Sequence, residues 1–247
     1  MCSKKEGESI HTMKKIKNVV LCLSILLLIA NCSSGKSHSF LAKHSKDGLI
    51  VDKNPESLLV LVNKTHKLPD GYIPPDLIYP DVRFPYSNMI EKRKVRSVAA
   101  KALKRLFMAA DNVGYKLYGE SGYRSYDRQV SIYNSSVNKY GVAKASTISA
   151  HPGTSEHQTG LAVDITSQEM VNEDPSDPLI QKFGDTAEGH WVARNAHKYG
   201  FIIRYPKGKE KMTGYEYEPW HIRYVGVKVA KDIYEHGWTL EEYLRHH

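Results

Sequence analysis

Two short segments, far apart in the chain, have to meet for either to do chemistry. Ser155-Glu156-His157-Gln158-Thr159-Gly160-Leu161-Ala162-Val163-Asp164 carries an imidazole and a carboxylate, and Glu218-Pro219-Trp220-His221 carries a second imidazole beside a second carboxylate. Two nitrogens and an oxygen form the ligand set of a catalytic zinc, which commonly keeps three protein ligands and leaves a position for water. The metal lowers the pKa of that water toward ~7, and a carboxylate that does not bind the metal can carry the proton to a leaving amine. His157, Asp164 and His221 fit the ligand roles, and Glu218 fits the base. Ordinary alternatives stand beside this reading. A His-x6-Asp spacing is also met by a loop histidine and by an aspartate that caps a helix or closes a turn. Pro219 argues against a regular helix in the second segment. An extended run would point Glu218 and Trp220 one way and Pro219 and His221 the other, so a twist or bulge is required before Glu218 and His221 can share one ion.

Further motifs flank these segments. Leu61-Val62-Asn63-Lys64 precedes Leu68-Pro69-Asp70-Gly71-Tyr72, Ser121-Gly122-Tyr123-Arg124-Ser125 is followed by Gln129, Pro152-Gly153-Thr154-Ser155 leads into the first ligand, and Gly200-Phe201-Ile202 with Arg204-Tyr205-Pro206 comes before the last. In this order, from about residue 58 to the C-terminus, they resemble the VanY-type D-alanyl-D-alanine carboxypeptidases, zinc peptidases that trim bacterial cell-wall peptides. The related L,D-carboxypeptidases share the pattern. The resemblance implies one Zn2+ per chain on His157, Asp164 and His221, with Glu218 as base. It also implies that Arg124 and Ser155, with Gln129 nearby, bind the free carboxylate of the substrate, a group that a guanidinium grips through two parallel hydrogen bonds. Without the resemblance, Arg124 reads as an ordinary surface arginine. His151 departs from the pattern; it lies close enough in sequence to be a spurious ligand candidate or a substrate contact, and reads first as an exposed loop histidine. His190, His197, His236, His246 and His247 have no partner identifiable in the sequence.

The N-terminal portion concerns location. Lys14-Lys15-Ile16-Lys17 precedes an apolar run of 12 residues, 19–30, the size of a signal-peptide core and short for a membrane span. Ile29-Ala30-Asn31-Cys32 resembles a lipoprotein signal box with Cys32 lipidated, although Asn31 replaces the commoner small residue. The expected organisation is therefore a leader over 1–31, with Met13 an alternative start, a lipidated Cys32 and flexible tether over 32–57, and a zinc carboxypeptidase domain over 58–247. The three cysteines are Cys2, Cys22 and Cys32. None falls in the domain, which has to rely on its core, and its 190 residues are enough for that. The formal charge of +8 falls to +5 without the first 31 residues, which hold five lysines and two glutamates. That balance suits an anionic wall polymer or membrane surface. No groove-reading motif is present, so nucleic acid is not an expected partner.

The expected fold class is α+β, a small antiparallel sheet with helices packed against it and a single zinc site on the sheet. Apolar residues Val98, Ala102, Leu103, Leu106, Phe107 and Ala110 recur at helical spacing in a helix placed at 88–111, whose basic start at 91–96 reads as a solvated face. A strand is expected at 115–118, a helix at 126–139, a loop at 146–160 and a strand at 161–165. A surface excursion is expected at 169–184, a helix at 186–198, strands at 201–205 and 217–224, a helix at 227–236, and a capped helix opening at Thr239.

The function expected from this reading is removal of the C-terminal D-Ala from peptidoglycan stem peptides by a monomeric, exported D,D-carboxypeptidase lipid-anchored to a bacterial membrane in the cell envelope or periplasm. Three alternatives remain: an L,D-carboxypeptidase on tetrapeptides, a peptidoglycan endopeptidase, and a non-catalytic zinc-containing wall-binding lipoprotein. An endopeptidase has no use for an arginine aimed at a terminal carboxylate, and a non-catalytic module has no use for Glu218. The anchor has its own test: Cys32→Ser is expected to abolish incorporation of a fatty-acid probe, and label that persists in this variant would remove Cys32 as the attachment point.

Overall fold

The computed structural model describes residues 45 and 48–247; the leader, Cys32 and most of the tether lie outside the described residues. In chain order the elements are β1 (Ile50–Val51), β2 (His66–Lys67), β3 (Leu77–Ile78), β4 (Val95–Arg96), α1 (Ser97–Asp111), β5 (Leu117–Ser121), α2 (Tyr126–Ile148), β6 (Ala162–Ser167), α3 (Gln168–Glu173), α4 (Ala187–Asn195), β7 (Phe201–Tyr205), α5 (Glu210–Thr213), β8 (Glu218–Tyr224), α6 (Val227–His236) and α7 (Leu240–His246). This is the expected mixture of helices and small sheets. The main sheet has four strands in the order β5-β6-β8-β7, and every pairing in it is antiparallel. Strand β1, within the 32–57 segment, pairs in parallel with β2.

Strand alternation divides this sheet into an apolar and a polar face. Val163, Ile165 and Ile222 pack with Leu103, Leu106, Phe107 and Ala110 of α1 and with Val192 of α4 in the main core. Val98 is partly buried against the same cluster. Ala230 and Ile233 of α6 and Leu240 of α7 pack with Ile202 in a second cluster. Helix α7 opens on the expected capping box: Thr239 Oγ1 accepts from the amide of Glu242, and Glu242 Oε2 accepts from the amide of Thr239.

Four expectations are corrected. The helix placed at 88–111 begins only at Ser97, because the preceding backbone is engaged elsewhere. Val95 and Arg96 pair with Ile78 and Leu77, and the carbonyls of Lys92 and Lys94 accept from the amides of Gly122 (2.6 Å) and Tyr123 (2.7 Å). Helix α2 runs to Ile148 rather than 139, broken at Gly141 (φ 78°), so the loop before His157 begins at Ser149. The strand expected at 115–118 starts at Leu117 and continues to Ser121. The stretch 169–184 is no simple surface excursion, since Met170 and Phe183 are buried in the main core. Among the described residues, no helix is long and apolar enough to cross a membrane.

Candidate metal centre

The site begins with register. In the β6–β8 ladder Asp164 stands opposite His221 and Ala162 opposite Arg223, so all four point to the polar face. Asp164 also pairs with Ser121 on its other side. The bulge that Glu218 requires is present. Ile203 pairs with Ile222 and Tyr205 with Glu218, so β8 spends two more residues than β7 over that interval, with Pro219 inside it. Pro has no amide to give to a ladder, which suits an irregular position. As a result Glu218 Oε2 comes within 3.9 Å of His221 Nδ1.

His157 arrives from a short 3-10 helix, Glu156–Thr159, that ends at Gly160 with φ 65°. A side chain there would be strained, and its Cβ would meet Leu77 Cδ2 at 2.8 Å. The Nδ1–H of His157 donates to the carbonyl of Gly122 at 2.7 Å, which turns Nε2 toward Asp164 Oδ2 at 3.3 Å. His221 Nδ1 lies 2.9 Å from Asp164 Oδ1, while its Nε2 faces Glu156 Oε2 at 3.4 Å. Donor atoms of His157, Asp164 and His221 all fall within 4.8 Å of one another, and the three residues are buried. Two nitrogens and an oxygen converge, and each imidazole has its other nitrogen on an acceptor, the usual arrangement behind a metal-bound histidine. The residues present therefore fit a zinc ion.

The electrostatics follow from burial and pairing. Burial opposes charge on His221, but hydrogen bonds to Asp164 and Glu156 push it up to about 10. Burial likewise opposes ionisation of Asp164, yet the imidazoles of His157 and His221 hold it well below the usual carboxylate range. Glu218 goes the other way, pushed up to about 7 by burial, with Asp164 and Glu156 adding to the rise against His221 and Arg124.

Arg124, Gln129 and Ser155 line the same cleft of about 260 Å³ as the cluster, together with Glu218 and Trp220. Arg124 Nη1 donates to Gln129 Oε1 at 3.1 Å. Gln129 in turn donates its amide to the carbonyl of Ala150 (2.6 Å) and to Ser149 Oγ (3.3 Å), so it braces Arg124. The structure thus brings all seven sequence-predicted residues of the domain to one place. His151 is exposed, with its ring 4.2 Å from that of Tyr133. His197 stacks on Tyr234 and His236 on Trp238.

Sequence reasoning missed the charges beneath the cluster. Glu156 Oε1 accepts from Arg204 Nε and Arg223 Nη1, both at 2.7 Å. Arg204 also donates to both oxygens of Glu241 in α7, at 2.9 and 2.6 Å. Burial and the two guanidinium groups compete at Glu156, and the guanidinium groups hold it well below the usual range. The available signal was an arginine in each of two strands, one in the apolar run Phe201-Ile202-Ile203-Arg204 and one directly after Ile222, two residues past His221.

A profile of the D-alanyl-D-alanine carboxypeptidase family (VanY) matches residues 92–227. The chain belongs to this family. It is 55% identical over 198 residues to the protein YodJ of Bacillus subtilis (strain 168), covering 80% of this chain and 71% of that one. Among solved structures, it resembles the LdcB LD-carboxypeptidase with 53% identity and a TM-score of 0.77, over 83% of this chain and 94% of that one. A mutant of the vancomycin resistance D,D-pentapeptidase VanY from the VanB-type cassette, in complex with Zn(II), is 34% identical with a TM-score of 0.58, over 75% and 98% of the two chains.

One metal-binding expectation follows from the geometry. The wild type is expected to retain zinc through dialysis and His221→Ala or His157→Ala to lose most of it, as read by elemental analysis. Full zinc content in His221→Ala would disqualify the cluster.

Proposed function

We propose that the protein is a zinc-dependent carboxypeptidase that releases the terminal D-Ala from peptidoglycan stem peptides. The observation that carries this reading is the placement of Arg124 in the same cleft as the ligand cluster and Glu218. Bound zinc would supply a Lewis acid for the scissile carbonyl and a water ionised near neutrality. Glu218 accepts the proton of the attacking water and returns it to the leaving amine nitrogen. Arg124 forms two hydrogen bonds to the terminal carboxylate and so registers the last peptide bond over the cluster. Gln129 keeps the guanidinium directed, and Ser155, two residues before His157, offers a hydroxyl in the same cleft.

This arrangement supports a carboxypeptidase over an endopeptidase, since a cross-link presents no free carboxylate to Arg124. It also supports an enzyme over a non-catalytic module, because Glu218 sits beside the cluster as a carboxylate. Both the D,D bond of a pentapeptide and the L,D bond of a tetrapeptide release D-Ala. The sequence expectation was the D,D bond. The greater likeness to LdcB, 53% against 34% identity for VanY, favours the L,D bond. The proposed setting is the cell envelope or periplasm, lipid-anchored to a bacterial membrane through Cys32, and its support is the sequence pattern alone.

Two experiments test the reading. Glu218→Gln is expected to keep its zinc while losing activity by ~10²–10⁴-fold; turnover near that of the wild type would mean that another group is the base. Arg124→Ala is expected to lower kcat/KM on a free stem peptide by roughly 10- to 100-fold, the loss of hydrogen bonds to a charged group. Amidating the peptide terminus should penalise the wild type strongly and Arg124→Ala little. Equal penalties would reopen the endopeptidase reading, and mass spectrometry of tetra- against pentapeptide products separates the two bonds.

A further inference from the structure

We infer that Glu156 is a positioning residue of the metal centre, one that selects which ring nitrogen His221 offers to the ion. The inference rests on the zinc reading above and extends it to a residue outside the ligand set. An imidazole coordinates through one nitrogen while the other carries a proton, and the acceptor met by that proton decides which is which. The two histidines of the cluster are turned in opposite senses. His157 directs Nδ1–H to the backbone carbonyl of Gly122 at 2.7 Å and leaves Nε2 for the metal. His221 places Nδ1 at the cluster, 2.9 Å from Asp164 Oδ1, and turns Nε2 to a side chain, Glu156 Oε2, at 3.4 Å.

A glutamate is a rotatable acceptor, so it can orient its neighbour only if it is itself held. Glu156 is fully buried, with no side-chain exposure. Its Oε1 takes Arg204 Nε and Arg223 Nη1, each at 2.7 Å, which leaves Oε2 to face His221. Both arginines are anchored in turn. Arg204 closes a fork on Glu241, and Arg223 Nη2 donates to the carbonyls of Leu58 (3.0 Å) and Val60 (2.9 Å). Two guanidinium groups and two carboxylates balance in charge. The network therefore fixes a direction behind His221 without adding net charge to the site.

The decisive readouts are ring-nitrogen state and zinc affinity in the full chain, both independent of turnover. In the zinc-loaded wild type, 15N NMR of the histidine rings is expected to show His221 zinc-bound at Nδ1 and protonated at Nε2, and His157 the reverse. Zinc on Nε2 of His221 would overturn the inference. Glu156→Gln is expected to weaken zinc binding roughly 10- to 100-fold in chelator competition, the usual cost of losing an outer-shell partner. Glu241→Gln disturbs the same arginines but does not touch His221, and Arg223 still holds Glu156. It is expected to lower thermal stability with zinc affinity near that of the wild type. Unchanged affinity in Glu156→Gln, or an equal loss in both variants, would reduce Glu156 to a counter-ion for the arginines. Should Glu156→Gln fail to fold, the wild-type ring-nitrogen assignment decides alone. A chain that binds zinc as expected yet cleaves no stem peptide would refute the functional reading and still support this inference.

Discussion

The centre of this protein depends on the register of β6 against β8. That pairing sets Asp164 beside His221 on one face and Val163 beside Ile222 on the other. A slip of one residue would exchange the two faces, sending the carboxylate into the core and valine to the cleft. The core resists such a slip. Val163 and Ile222 are buried in the cluster that α1 and α4 complete, and burying one such side chain contributes about 1.5–3 kcal/mol. The His157–Asp164–His221 cluster thus inherits its geometry from apolar packing on the opposite side of the same sheet. The bulge in β8 adds what regular pairing cannot, bringing Glu218 back to the face of His221.

Below the cluster the structure carries a different kind of constraint. Glu156, Arg204 and Arg223 have no side-chain exposure. Burying an ion costs several kcal/mol even after relaxation, and apolar residues of similar volume often serve stability as well or better. Stability therefore does not explain the network. Direction does: three strands or turns and helix α7 all end on the same guanidinium groups, and the one carboxylate oxygen left over faces His221. Removing a single member would leave a buried charge without its partner, at about 3–5 kcal/mol.

The cleft at the cluster is lined by charges of both signs. Arg124, braced by Gln129, shares its lining with Asp164 and Glu218. The chain is structurally similar to both the LdcB LD-carboxypeptidase and the D,D-pentapeptidase VanY.

Much of this was legible in the sequence, for local reasons. Strand β7 and helix α6 fall where periodicity and flanking glycines put them, at Phe201–Tyr205 and Val227–His236. The Thr239–Glu242 capping box is readable within four residues, and the ordered motifs around His157, Asp164 and His221, through the family they resemble, pointed to three residues whose donor atoms converge. Other features were decided by partners distant in the chain. Helix α1 starts late because strand β3 and the Gly122–Tyr123 amides claim the backbone before it. Phe183 is buried in a polar stretch because a core formed elsewhere receives it. Glu156 lies next to a recognised ligand, yet its partners are 48 and 67 positions away. Composition cannot tell a buried arginine from an exposed one. Periodicity and capping act between residues a turn apart and are written in the chain, whereas the acceptor behind His221 and the convergence of Glu218 exist only once the strands have paired.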